Sequence, residues 1–302
     1  MGSPYEPSVP LHRGRLEDAI RAVRPDWIHV HWLHMGVKFA AVLAAAGLPV
    51  TVRAHGFELQ GGVLGDLLRL PFVRRVFCFP HQIANVLGAP RLRAMNVAFD
   101  TSLFRPHRDK DRRLILRTVT AQPSRDLELF FSLAQRLPRF HFVLALVTIW
   151  KGERYRDRFV ERWRSLGSPG ELLLDVPRRD IIPMVERAGI YLHTQTPPES
   201  SEFRPIGMPI SIAEAMATGA HVLVRNVPCL VDYVGEAGRA YGDGEQAAAL
   251  IAETETWDDE RWHTAWARSV QRAYTQFADE RVLLPLLAEW CAGILGESAN
   301  RG

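Results

Sequence analysis

Short apolar, β-branched runs alternate with segments of helical spacing along nearly the whole chain, and this alternation restricts the fold more than any single motif. Strands are expected at 27–32, 49–53, 74–79, 114–119, 140–147, 171–176, 190–194, 221–225 and around Ala240. Between them the apolar residues recur every three to four positions, as at Leu16, Ala19, Ile20 and Val23, or at Tyr155, Phe159, Trp163 and Leu166. A strand followed by a helix, repeated, closes most readily as parallel strands with crossover helices on their faces. The predicted class is therefore α/β. At 302 residues the chain is long for one domain and comfortable for two.

The most informative stretch is 205–219, Pro-Ile-Gly-Met-Pro-Ile-Ser-Ile-Ala-Glu-Ala-Met-Ala-Thr-Gly. Gly207 and Pro209 set a turn, Ser211 is placed to cap, the alanines favour helix and Gly219 ends it. The start of such a helix offers free backbone N–H groups at the positive end of its dipole, and a phosphate or diphosphate is its natural ligand. Glu214 stands three residues beyond Ser211, the spacing of a capping box, so a purely structural role for it is the alternative.

This stretch resembles the nucleotide-sugar loop of the family 4 retaining glycosyltransferases, which have the GT-B fold. Glu214-Ala215-Met216-Ala217-Thr218-Gly219 matches the second half of the family motif, while the place of its first Glu falls on Ile206. The segment from Asn96 to Pro106, with Val97, Asp100, Phe104 and Pro106, is similar to the family's interdomain link. His55-Gly56 after the strand at 49–53 is similar to the family's His-Gly, where the imidazole faces the donor sugar.

The resemblance implies two Rossmann-like domains with the first one truncated: 1–107 on the acceptor side, 108–276 binding the nucleotide sugar, and 277–302 a helix bracing the first domain. It implies transfer of a sugar from a nucleoside diphosphate sugar, UDP- or GDP-type, with retention and without a metal or other cofactor. Arg125 takes the place of the family's phosphate-binding Lys, and Thr120 that of its Arg. The expected donor contacts are Gly56, Arg125, Gly207, Met208, Pro209, Ile210, Ser211 and Glu214. His55 is the expected catalytic contact to the sugar, with Glu202 or Glu199 standing in for the missing motif carboxylate.

Ile206, Thr120 and the short first domain carry the rival reading, a non-catalytic nucleotide- or sugar-binding protein or one subunit of a two-chain transferase. In that case a homodimer mate or a partner chain supplies the missing part. The acceptor, whether glycan, lipid-linked or small molecule, is not specified by these residues.

Other classes fit less well. With 37 Lys and Arg against 34 Asp and Glu, the charge balance does not point to nucleic acid, and the charged run 108–113 reads as a solvated linker. No Gly-x-Gly-x-x-Gly follows an early strand, which disfavours an NAD(P)-dependent oxidoreductase. His29 and His31 share one face of a strand, with His34 the only near third ligand, and read as a polar cluster at a strand end. Trp257, Trp262 and Trp266 read as core. Three widely spaced cysteines, Cys78, Cys229 and Cys291, read as reduced core thiols. No apolar window spans a bilayer and the N-terminus is not signal-like, so a cytoplasmic protein, at most peripheral to a membrane, is expected.

Overall fold

The computed structural model describes residues 13–55, 62–83, 89–149, 152–201 and 207–299. The chain divides into two compact units, Met1–Asn96 with Pro285–Gly302, and Val97–Leu284, so the second division falls inside the last helix, Asp279–Ala299, at its Pro285.

In the first unit the strands are β1 (Ile28–His31), β2 (Val50–Arg53), β3 (Val73–Cys78) and β4 (Leu92–Ala94), paired in parallel in that order. Helices Leu33–Lys38, Ala40–Ala46 and Val63–Arg69 make the crossovers. Their apolar faces meet β2 and β3 in a core of Leu33, Leu43, Val50, Val52, Leu67 and Val76. Gly36 is needed there, because a Cβ on it would stand 2.8 Å from Leu67. Trp290 of the last helix lies 6.1 Å from the ring of Trp27 and 5.5 Å from that of His29.

The second unit holds β5 (Asp111–Thr120), β6 (His141–Val147), β7 (Glu171–Leu174), β8 (Ala188–His193), β9 (His221–Arg225) and β10 (Gly238–Tyr241). All pair in parallel, in the order β10-β9-β8-β5-β6-β7. Starting at β5, the chain adds two strands on one side and then three on the other, which is the doubly wound arrangement. Both faces are covered. Leu114, Leu116 and Tyr191 meet the helix Ile210–Thr218 on one side; Ile115, Ile190 and Leu192 meet the helices Leu127–Arg136 and Gly244–Glu253 on the other. Phe159 and Trp163 of the stripe on Glu153–Ser165 are buried in that second core. The link segment also belongs here: Phe99 exchanges backbone hydrogen bonds with Phe277 and Asp279, and Phe104 is fully buried.

Three expectations need correction. Residues 108–113 are not simply a solvated linker: Asp111 to Arg113 open β5, and the Lys110 ammonium is buried, donating to the Glu186 carbonyl at 2.6 Å and to Thr218 Oγ1 at 3.1 Å. Burial lowers its pKa to about 7. Of the tryptophans, Trp257 and Trp262 pack at 5.1 Å in the core, whereas Trp266 stacks on His263 and donates to the His107 carbonyl at 2.8 Å. Of the free thiols, Cys78 is buried, Cys229 half-buried and Cys291 exposed. No described helix is long and apolar enough to cross a membrane.

Gly219 gives a direct test of the packing. It ends the helix Ile210–Thr218 at φ 91°, and a Cβ there would stand 2.1 Å from Trp266 Cδ1. Gly219→Ala combines left-handed strain with displacement of an indole that is held by a hydrogen bond. The expected cost is about 2 to 4 kcal/mol, read from the urea midpoint with the m-value unchanged.

Candidate nucleotide-binding site

In a doubly wound sheet the loops leaving the two central strands part in opposite directions and leave a crevice at their carboxyl ends. Here those strands are β5 and β8. After β5 the chain makes a tight turn, Pro123–Arg125, and enters the helix Leu127–Arg136 through Asp126, whose carboxylate accepts from the Leu129 amide at 3.3 Å. After β8 it continues through Thr194, Gln195 and Thr196, all buried.

The two loops are tied together. Thr194 Oγ1 donates to the Arg125 carbonyl at 2.7 Å, and the Thr196 amide to the Ser124 carbonyl at 3.2 Å. Arg117, 2% exposed in the middle of β5, donates from Nη2 to the Thr194 carbonyl at 3.0 Å and from Nη1 to the Tyr191 hydroxyl at 3.2 Å. Tyr241 donates to the His193 carbonyl at 2.8 Å.

Positive charge is in excess at this edge. Arg125 is held down to about 10, chiefly by burial and then by the neighbouring Arg117. The Nε atoms of Arg117 and Arg125 and Nδ1 of His193 are buried with no hydrogen-bond partner among the described residues. Arg225, at the end of β9, reaches the Asp126 carboxylate only at 4.0 Å. His193 is kept neutral, its pKa well below the usual value because of burial and the two arginines. Buried donors without acceptors are costly, and an anion bound at the loop mouth relieves that cost.

The helix Ile210–Thr218 brings its amino end to the same unit. Its N-cap is Pro209, with no side-chain cap, and Tyr233 fixes the entry by donating to the Pro209 carbonyl at 3.0 Å. The capping-box alternative is overturned: Ser211 lies inside the first turn, and Glu214 is ion-paired with Arg178, the first residue of the helix Arg178–Arg187. Arg178 in turn lies over the Phe104 ring at 5.3 Å. Among the described residues no side chain caps the first-turn amides of Ile210–Thr218.

In the first unit His55 follows β2. Its Nε2 is 3.2 Å from His31 Nδ1, while His29 Nδ1 meets Thr51 Oγ1 at 2.7 Å and the His29 and His31 rings lie edge to face at 4.9 Å. Arg53 donates to the Asn96 carbonyl at 2.8 Å. Burial first, then the charge of Arg53, holds His55 near a pKa of about 4, and burial with His31 and Arg53 brings His29 to about 4 as well. His31 is lowered too, by burial and Arg53. At neutral pH the cluster is thus a set of uncharged donors and acceptors. Among the described residues no group of three His, Cys, Asp or Glu is placed to hold a metal ion.

Arg125 thus lies in the central crevice loop, with Gly207, Met208 and Pro209 leading into the helix that carries Ile210, Ser211 and Glu214. Thr120 ends β5. His55 belongs to the first unit, and Glu199 is exposed in a turn. Gly56, Glu202 and Ile206 lie outside the described residues. Arg117, Arg178, His193 and Arg225 are additions from the structure. A signal for Arg117 stands in the sequence, a lone guanidinium inside the apolar run Leu114-Ile115-Leu116-Arg117-Thr118-Val119.

No family model matches the chain, and no curated protein matches it. Solved structures do resemble it. HepE of Anabaena, in complex with UDP and glucose, superposes with a TM-score of 0.73 at 16% identity over 93% of this chain and 81% of that one. Sucrose-phosphate synthase of Thermosynechococcus elongatus gives 0.74 at 15% identity, covering 97% and 82%. A glycosyltransferase of Rickettsia africae gives 0.71 at 13%, covering 98% and 84%. The likeness is one of fold: the chain is an α/β protein with parallel, Rossmann-like units of the GT-B type.

Glu214 yields a pH prediction. Burial raises its carboxyl to about 7, with Arg178 opposing the rise. The native state then binds this proton more tightly than the unfolded chain, so its contribution is complete below about 4.5 and is lost as pH rises through about 7. Glu214→Gln removes the loss. Its stability relative to wild type is expected to rise by about 1 to 3 kcal/mol between pH 4.5 and pH 8, measured by urea unfolding across that range.

Proposed function

We propose that the protein is a glycosyltransferase that binds a nucleoside diphosphate sugar at the carboxyl edge of β5 and β8 and transfers its sugar with retention, without a metal. The observation that carries this reading is the surplus of buried or largely buried guanidinium groups at that edge, Arg117, Arg125 and Arg225, with Asp126 the carboxylate near Arg225 among the described residues. A diphosphate supplies the missing negative charge in a setting of low dielectric, where fixed donors act most strongly on charge developing on the leaving group. The uncapped start of Ile210–Thr218 adds backbone donors. HepE, similar in fold, has been solved with UDP and with UDP-glucose, which supports a uridine nucleotide as the first donor to try.

In this reading Arg125 contacts the diphosphate directly, and Arg117 holds the β8 loop while contributing its field. Glu214 accepts from the ribose hydroxyls, taking up the hydrogen-bonding capacity it now shares with Arg178. The neutral His55 hydrogen-bonds the sugar, and Glu202 takes the place of the motif carboxylate absent at Ile206. The second reading, a nucleotide-binding protein without transfer activity or one subunit of a two-chain enzyme, has Ile206 and Thr120 in its favour.

Calorimetry with UDP, GDP, dTDP and ADP separates these cases. One nucleotide is expected to bind, with Arg125→Ala weakening it about 10- to 100-fold and Glu214→Ala about 10-fold. His55→Ala is expected to leave nucleotide affinity intact and to lower turnover. Binding without sugar transfer or donor hydrolysis favours the second reading, and no binding to any nucleotide from a folded protein removes both.

A further inference from the structure

At the opposite end of the same sheet, where β9 and β10 begin, lies a cavity of about 270 Å³. Its inner wall is His221, the first residue of β9, with Trp257 edge-on at 4.8 Å. His221 is 5% exposed, and neither Nδ1 nor Nε2 has a hydrogen-bond partner among the described residues. An imidazole with both nitrogens buried and unused, lining a cavity, is a group left for something else to satisfy.

The mouth is cationic. Arg239 and Arg261 converge on the two oxygens of one carboxylate, Glu253, Arg239 at 2.6 Å, and the Arg261 guanidinium also lies over the Trp257 ring at 4.5 Å. Arg268 lines the same cavity, is exposed, and has no ion-pair partner among the described residues. Glu236 is the other carboxylate of the lining, so three guanidinium groups face two acids. Water satisfies a single orphan donor, but a surplus guanidinium together with an inner imidazole suits a ligand with several oxygen acceptors and one charge or more.

We infer that this cavity is a second ligand site, selective for a small phosphate-type oxyanion, free or as a monoester, that engages Arg268 and Arg261 at the mouth and His221 within. Neutral His221 donates one N–H to such an anion. Burial, with Arg239 and Arg261 opposed by Glu253, keeps the imidazole uncharged, so one N–H is present as a donor at neutral pH. The site uses none of the residues assigned to the nucleotide, and the inference stands or falls apart from that assignment.

The test is calorimetry on the full chain with inorganic phosphate and with glycerol 2-phosphate, at ionic strength held constant with chloride. Wild type, Arg268→Ala, His221→Phe and Arg125→Ala are compared. Arg268 is exposed, so its variant is expected to fold even where His221→Phe does not. Saturable binding is expected that survives Arg125→Ala and that Arg268→Ala weakens about tenfold, the usual size of one charge-assisted hydrogen bond. Tighter binding of the glycerol ester identifies a monoester ligand, and equal or weaker binding identifies free phosphate. The inference is overturned if no binding exceeds the chloride control, or if Arg125→Ala abolishes all of it while Arg268→Ala changes nothing. A protein that binds phosphate here and no nucleotide at all overturns both nucleotide readings and leaves this inference standing.

Discussion

A guanidinium buried in the middle of a parallel strand sets the terms for the second unit. Arg117 occupies a place where an aliphatic side chain is ordinary, and a charge there is tolerated only when its donors are met. Tyr191 and the Thr194 carbonyl meet two of them, and in doing so they fasten the loop after β8 to the strand that leads into the loop after β5. Thr194 and Thr196 then close the gap from the other side. The crevice that every doubly wound sheet has by topology is thereby given fixed walls. Burial, reinforced by the charge of Arg117, lowers the pKa of Arg125 and keeps His193 neutral.

The second unit also shows how differently arginines behave at the two ends of one sheet. At the carboxyl edge they are largely buried, and among the described residues Arg225 reaches the Asp126 carboxylate only at 4.0 Å. At the amino edge Arg239 and Arg261 are more exposed and share Glu253 tightly, while the buried His221 imidazole has no hydrogen-bond partner among the described residues. Glu214 is an intermediate case. It is buried beside Arg178, and desolvation outweighs that pairing enough to lift its pKa. A carboxylate held in this way is ready to exchange one hydrogen-bonding partner for another, because the charged form is already under tension from burial.

Much of the architecture was legible along the chain. The period of the apolar residues located nine of the ten strands among the described residues, because strand and helix periods differ and each is a local property. The strand missed, Leu92–Ala94, has only three residues, too few to show a period. The helix Ile210–Thr218 was legible from Gly207, Pro209 and Gly219, whose backbone preferences are also local. Its details were not. Ser211 and Glu214 stand at capping-box spacing, yet Pro209 occupies the cap and Glu214 finds Arg178, thirty-six positions earlier. Lys110 looked solvated among its charged neighbours and is instead folded under the Glu186 carbonyl and Thr218.

What the sequence determined by itself was the order and type of the elements, the parallel class of the sheets and the places where an anion could meet backbone amides. These depend on dihedral preferences and on spacing within a few residues. Tertiary structure alone decided which charges meet: that Arg117 stands with Arg125 and His193, that Arg178 takes Glu214, and that Arg239 and Arg261 gather on Glu253 at the cavity lined by His221. The energy of a charge depends on its burial and on its partners in space, and neither is a property of the neighbouring sequence.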